Sequence, residues 1–120
     1  MAYPEQGDII FIDAEPHAGH ETGGHDPRHG NIQRPLIVLS NTGYNQFTGM
    51  VSGMPITHEM RDDNTRFMQF IDGTSGVHGS IILWQMPFYD FDGRHGRIVG
   101  HVSPRLLNTL LARVKDIFDL

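Results

Sequence analysis

Short apolar runs alternate with clusters of glycine, proline and polar residues until about residue 103, where the period changes. Asp8-Ile9-Ile10-Phe11-Ile12-Asp13, bounded by Gly7 and Pro16, is rich in β-branched and aromatic residues and predicts a first strand. Pro35-Leu36-Ile37-Val38-Leu39 is continuously apolar and predicts a buried second strand. Asn41 to Asn45 predicts a turn. Phe47 to Ile56 predicts a third strand, in which Gly49 and Gly53 predict a bulge or tight curvature. Arg66 to Ile71, Val77 to Met86 and Ile98 to Val102 are further strand candidates.

After Ser103 the pattern is helical. Ser103 suits a cap and Pro104 the first helical position. Leu106, Leu107, Leu110, Leu111, Val114, Ile117 and Phe118 then fall on one face, opposite Arg105, Asn108, Arg113, Lys115 and Asp116. A single amphipathic helix of about four turns must lay its stripe on a sheet. Five to seven short strands and one helix predict a mainly β fold, a small and strongly curved barrel. Residues 1–120 read as a single domain, without internal repeats or a linker. Segment 14–33 interrupts this order. It has no hydrophobic period and is rich in glycine, histidine and charge, so it predicts a long loop, functional or disordered.

Composition narrows the chemistry. There is no cysteine, which excludes disulfides, Cys-ligated zinc, iron–sulfur clusters and a thiol nucleophile, and fits a reducing, cytoplasmic compartment. The apolar runs are too short to span a bilayer, and the first residues lack the basic cluster and apolar core of a secretory signal. The net charge of -5 is the wrong sign for a generic nucleic-acid coat. Lys115 is the one lysine, however; the other basic residues are arginines, which grip phosphate bidentately. His17, His20, His25 and His29, with Glu21 and Asp26, raise the alternative of a metal site in the loop, but their glycine-rich spacing matches no defined one.

Several segments carry a more specific signal in their order and spacing: Gly7 to Asp13, Ala18-Gly19-His20-Glu21, Arg34 to Ser40, Tyr44-Asn45, Thr48-Gly49-Met50 and Pro55-Ile56-Thr57. Together they resemble the MazF/PemK family of ribonuclease toxins, and Gln85, Asp90 and the closing helix continue the likeness more loosely. The resemblance implies an SH3-like barrel that forms a homodimer. It implies the toxin of a type II toxin–antitoxin system, an endoribonuclease that cuts single-stranded RNA, usually messages, at short sequences. It implies no metal or other cofactor, no membrane, and neutralisation by a cognate antitoxin encoded beside it.

Three departures stand out. Nine residues, His25 to Gln33, separate Gly24 from Arg34 where the family usually has a single one. His58 follows Thr57 where a second hydroxyl is usual, and Trp84 precedes Gln85 where an acidic residue is common.

RNA carries its own nucleophile, the 2′-hydroxyl. Cleavage without a metal needs a base for that hydroxyl, a cation for the phosphorane and an acid for the leaving 5′-oxygen. Arg34 opens a buried strand directly after the long loop, and its planar fork suits the scissile phosphate. The plainer alternative is a strand-end arginine paired with a carboxylate. The resemblance makes Arg34 and Thr57 catalytic, with Thr57 donating to a non-bridging oxygen; otherwise Thr57 is a turn threonine. His20 and Glu21 are expected to share proton transfer, or else lie in a solvated loop. His58, Gln85 and Arg94 are expected to contact substrate, His58 also as a proton donor in place of the missing acid; the alternatives are a turn histidine, a structural glutamine and a surface charge. One or two of Tyr44, Phe47, Phe88, Tyr89 and Phe91 are expected to reach the groove and stack bases. Trp84 and the insertion leave a second possibility open, a catalytically impaired barrel that still binds RNA or an antitoxin. A third is a metal-dependent protein built on the histidine loop.

Overall fold

The computed structural model describes residues 2–14, 32–60 and 65–119. Among these it contains β1 (Asp8–Asp13), β2 (Gln33–Val38), α1 (Thr42–Thr48), β3 (Met50–Thr57), β4 (Phe67–Ile71), β5 (His78–Ile82), β6 (Phe88–Asp90), β7 (Arg97–His101) and α2 (Pro104–Phe118). The strands form one antiparallel sheet in the order β4-β5-β3-β2-β1-β7, and β6 pairs with β3 off this path. β3 carries two partners in succession. Met50–Ser52 pairs with Asp90–Phe88, and Ile56–Thr57 pairs with Ile81–Ser80. A strand that changes partner along its length sits at a bend, so the sheet curls. The mainly β, strongly curved fold with a C-terminal helix is as the sequence predicts.

The central strands are apolar on both faces because each face has its own core. Side chains alternate along a strand. Ile9 and Ile37 pair, and with Met54, Ile56, Ile81 and Leu110 they build one cluster. Ile10 and Leu36 pair, and with Ile12, Val38, Val51 and Phe91 they build the other. Continuous apolar runs such as Leu36 to Leu39 follow directly from this double burial.

α2 closes the first cluster. The Ser103 hydroxyl caps it by accepting from the Leu106 N–H at 3.1 Å, and Pro104 occupies the first turn. Leu110 is fully buried, and Leu106, Leu107, Leu111 and Val114 pack around it. Ile117 and Phe118, on the predicted stripe, stay 40 % and 55 % exposed. The apolar stripe therefore outruns the surface it packs on.

Three local expectations are corrected. Asn41 to Asn45 is not a turn but the start of α1. The Asn41 side chain accepts from the Gly43 and Tyr44 N–H groups, and Gly49, at φ 73°, ends the helix by donating to the Asn45 carbonyl at 2.8 Å. α1 buries only Asn45, whose amide donates to the Pro4 carbonyl at 2.9 Å. A helix held by its caps and a buried amide has no apolar stripe to read. In consequence the third strand starts at Met50, Phe47 lies 91 % exposed on α1, and Gly49 is a helix cap rather than a bulge. Finally, the run from Val77 to Met86 is strand only over β5, after which the chain runs on along β3 to β6.

Candidate active site

The register of β1, β2 and β3 builds the site. Leu36 pairs with Ile10 on one side and with Pro55 on the other, all facing the second core cluster. Two residues back along β2, Arg34 pairs with Ile12 and shares that face. Two residues on from Pro55 stands Thr57, so continuing the β2–β3 register brings Arg34 opposite Thr57. Here the apolar row gives way to polar side chains. A cavity of about 380 Å³ opens at this point, lined by Ala14, Arg34, Pro55, Ile56, Thr57, Glu59, Ile82, Gln85 and Tyr89. Its size falls in the range of small-molecule sites.

Each polar wall residue has a local anchor. Arg34 is half-buried at the start of β2, at the lip of the curled sheet. Thr57 is held by β5, where Gly79 (φ 147°) approaches so closely that a Cβ would lie 2.0 Å from the Thr57 carbonyl oxygen. The Thr57 hydroxyl accepts from the Glu59 N–H at 3.4 Å, so its own proton can go to an acceptor in the cavity. Gln85 sits on the segment that joins β5 to β6. The buried Ser52 pins that segment, its hydroxyl reaching the Pro87 carbonyl at 3.0 Å and the Met86 carbonyl at 3.3 Å.

β6 supplies the remaining wall. Its side chains alternate, so Tyr89 turns inward between the exposed Phe88 and Asp90. The Arg94 guanidinium stands over the Tyr89 ring, 5.8 Å from its centroid. Arg94 is placed by its backbone: its N–H donates to the Asp90 carbonyl and its carbonyl accepts from the Asp13 N–H, both at 2.9 Å. Burial pushes the Tyr89 phenol above its ordinary pKa, against the opposing pull of Arg94 and Arg34. The nearby carboxylate of Asp13 is already engaged, by His95 Nδ1 at 2.7 Å and the Gln33 amide at 3.1 Å. Although the chain is acidic overall, Arg34 and Arg94 lie at or beside this cavity.

Arg34, Thr57 and Gln85, remote in sequence, thus come together, and Arg94 stands behind the Tyr89 wall. His58 does not join them; it is exposed just past Thr57 and is not part of the lining, because it falls on the opposite alternation from Thr57. Trp84 is 53 % exposed and also outside the lining. His20, Glu21 and the histidines His17, His25 and His29 lie outside the described residues. Of the five candidate aromatics Tyr89 alone lines the cavity; Phe91 is core, and Tyr44, Phe47 and Phe88 are exposed elsewhere. Glu59 is a wall residue that sequence reasoning missed. The signal was period two: Pro55, Thr57 and Glu59 alternate onto one face.

Residues 5–118 match the family described as PemK-like, MazF-like toxin of type II toxin-antitoxin system. The endoribonuclease toxin ChpB of Escherichia coli (strain K12) is 28 % identical over 119 residues, covering 96 % of this chain and 94 % of that protein. The endoribonuclease toxin MazF of the same strain is 38 % identical over 58 residues, 48 % of this chain and 45 % of that protein. In fold, the chain is similar to MazF from Deinococcus radiodurans (Form-I), with a TM-score of 0.78, 22 % identity and full coverage of both chains. It is also similar to a chain of the MazE-MazF complex (Form-III) from that organism, with a TM-score of 0.77 and 19 % identity over 98 % of each chain. With this match over nearly its whole length, a curled sheet of the same fold and the predicted arginine and threonine on one cavity, the chain belongs to the PemK-like, MazF-like toxins of type II toxin–antitoxin systems.

Proposed function

We propose that this protein is a toxin endoribonuclease that cuts single-stranded RNA, messages above all, at short sequences through attack of the 2′-hydroxyl. The observation that carries this reading is the meeting of Arg34, Thr57 and Gln85 on one cavity at the β2–β3 seam. Endoribonuclease is also the activity named for the relatives ChpB, MazF and PemK.

In the step proposed, the ribose O2′ forms a bond to the adjacent phosphorus and the P–O5′ bond breaks. The 2′-hydroxyl proton passes to a base and a proton is given to the departing 5′-oxygen, leaving a 2′,3′-cyclic phosphate. Arg34 neutralises the charge that builds on the non-bridging oxygens, where a fixed guanidinium acts more strongly than in water. Thr57 donates to one of those oxygens. Gln85 and Arg94 hold flanking parts of the RNA. Glu59 offers a carboxylate on the cavity wall for proton transfer; His20 and Glu21, from outside the described residues, are the other candidates. His58, exposed beside the site, is the weaker candidate for a substrate contact.

The whole chain is read as one toxin domain, in which residues 14–33 carry the insertion that precedes Arg34 in sequence. Its partners in this reading are a second copy of itself and a cognate antitoxin, an acidic segment that folds over the arginines. MazE-MazF complexes among the fold relatives support that pairing. Its place is the cytoplasm; among the described residues no helix is long and apolar enough to cross a membrane.

The test is incubation of the purified protein with a long messenger RNA in EDTA. Discrete fragments ending in 2′,3′-cyclic phosphate are expected. Intact RNA that is cut only after a divalent metal is restored would sink the mechanism and favour a metal-dependent protein.

A further inference from the structure

We infer that Tyr89 is a substrate-binding residue of this cavity, its hydroxyl donating a hydrogen bond to the RNA backbone beside the phosphate held by Arg34. The inference rests on the proposed nuclease reading and adds a residue to it. Tyr89 lines the same cavity as Arg34, Thr57 and Gln85. β6 fixes its direction, because the strand is locked to β3 by three residue pairs, with Tyr89 opposite the fully buried Val51. Its ring packs against the second core cluster, and the Arg94 guanidinium stands 5.8 Å from its centroid. The ring is thus held by core and cation.

Chemistry then favours a donor. A polyanion entering a cavity beside two arginines would be repelled by a phenolate and attracted by a phenol. Burial holds the Tyr89 proton on, outweighing the two guanidinium groups that pull the other way. A phenol is neutral at neutral pH even at its ordinary pKa, so the cavity that Tyr89 lines together with Arg34 offers a neutral donor and a cation, the combination that grips a phosphate oxygen without adding negative charge. Phe91, two residues on, carries no such group and is buried in the core.

Tyr89→Phe removes only the oxygen and keeps the ring that the core and Arg94 use. Steady-state cleavage of a short single-stranded RNA should show KM raised roughly 10-fold, as expected for loss of a hydrogen bond to a charged group, with kcat within about twofold. Binding of the same RNA with a 2′-deoxy substitution at the cut position, which cannot be cleaved, should weaken by the same factor. Unchanged KM and unchanged binding would overturn the inference, as would a fall in kcat at constant KM, which would make the hydroxyl a proton donor instead. Circular dichroism and the Tm of the variant should match the parent, and a lowered Tm with a reduced apparent kcat at unchanged KM would overturn the inference in favour of a structural role. The deoxy-substituted RNA separates the two levels: if the parent protein binds it but cuts no RNA, the nuclease reading fails while the Tyr89 contact is still decided by the variant's affinity.

Discussion

The two faces of the central strands solve different problems with the same chain. On one face Ile9, Ile37, Met54 and Ile56 run into a cluster sealed by α2, with Leu110 at its centre. On the other, Ile10, Ile12, Leu36 and Val51 form a smaller cluster that stops where Arg34 and Thr57 begin. Both faces use strict alternation along β1, β2 and β3. The difference is what the last residues of each row meet. The sealed face meets a capped helix, so the row beneath it is apolar; the open face meets a cavity, so its row ends in a cation on β2 and a hydroxyl on β3. Both sides of the sheet carry a buried core, the cavity opens at the margin of one of them, and a residue's side is set by one step of register.

Substitutions that touch one face and spare the other break this comparison most directly. The largest effect is expected at Arg34. Arg34→Ala should lower RNA cleavage by about 10²- to 10³-fold, the range for loss of one preorganised charge-stabilising group, while the Tm stays within a few degrees of the parent. An Arg34→Ala protein that cleaves at the parent rate would remove the assignment. The mirror case is Leu110→Ala, on the sealed face. It should cost about 2–5 kcal/mol in urea unfolding, the range for emptying a buried leucine site, and leave kcat/KM nearly unchanged at a temperature where the variant is folded. A selective loss of activity without loss of stability would show that the two faces are coupled.

The smallest effect lies far from both. The Asp72 carboxylate accepts from the Ser75 N–H at 2.8 Å in the turn joining β4 to β5, and hydrogen bonds from Ser75 lower its pKa. A lowered folded-state pKa means that the carboxylate stabilises the fold above its unfolded pKa and stops doing so as the pH falls through its folded one. Asp72→Asn should therefore melt slightly below the parent at pH 7, and the gap should close by about pH 2. A gap that persists in acid would mean the turn depends on shape rather than charge.

How far the molecule could be read without coordinates depended on where the information lay. β1, the apolar half of β2 and the capped helix α2 carry their signals locally, in runs and spacings that a window of residues contains. α1 does not. Its sequence, Thr-Gly-Tyr-Asn-Gln-Phe-Thr, has weak helix formers and no stripe, and its one buried residue is an asparagine bound to the distant Pro4. Arg34, Thr57 and Gln85 were marked through a resemblance, since no window of sequence holds all three. Glu59 was legible as an alternating partner of Thr57 but had no motif to draw attention to it. Nothing in the sequence could choose Tyr89 over Phe91, because the two share one alternation and one core cluster and differ only in where along β3 they stand: Tyr89 pairs with Val51 and lines the cavity, whereas Phe91 follows the end of β6 and is buried.

Alone, the order of residues determined the strand-rich architecture, the helix that closes it and the absence of thiol chemistry, because periodicity, caps and composition act over a few neighbours. Tertiary structure decided which aromatic faces the cavity, that a carboxylate joins its wall and that His58 and Trp84 stay outside. These outcomes depend on register between strands far apart in the chain, where a shift of one residue turns every side chain to the opposite face.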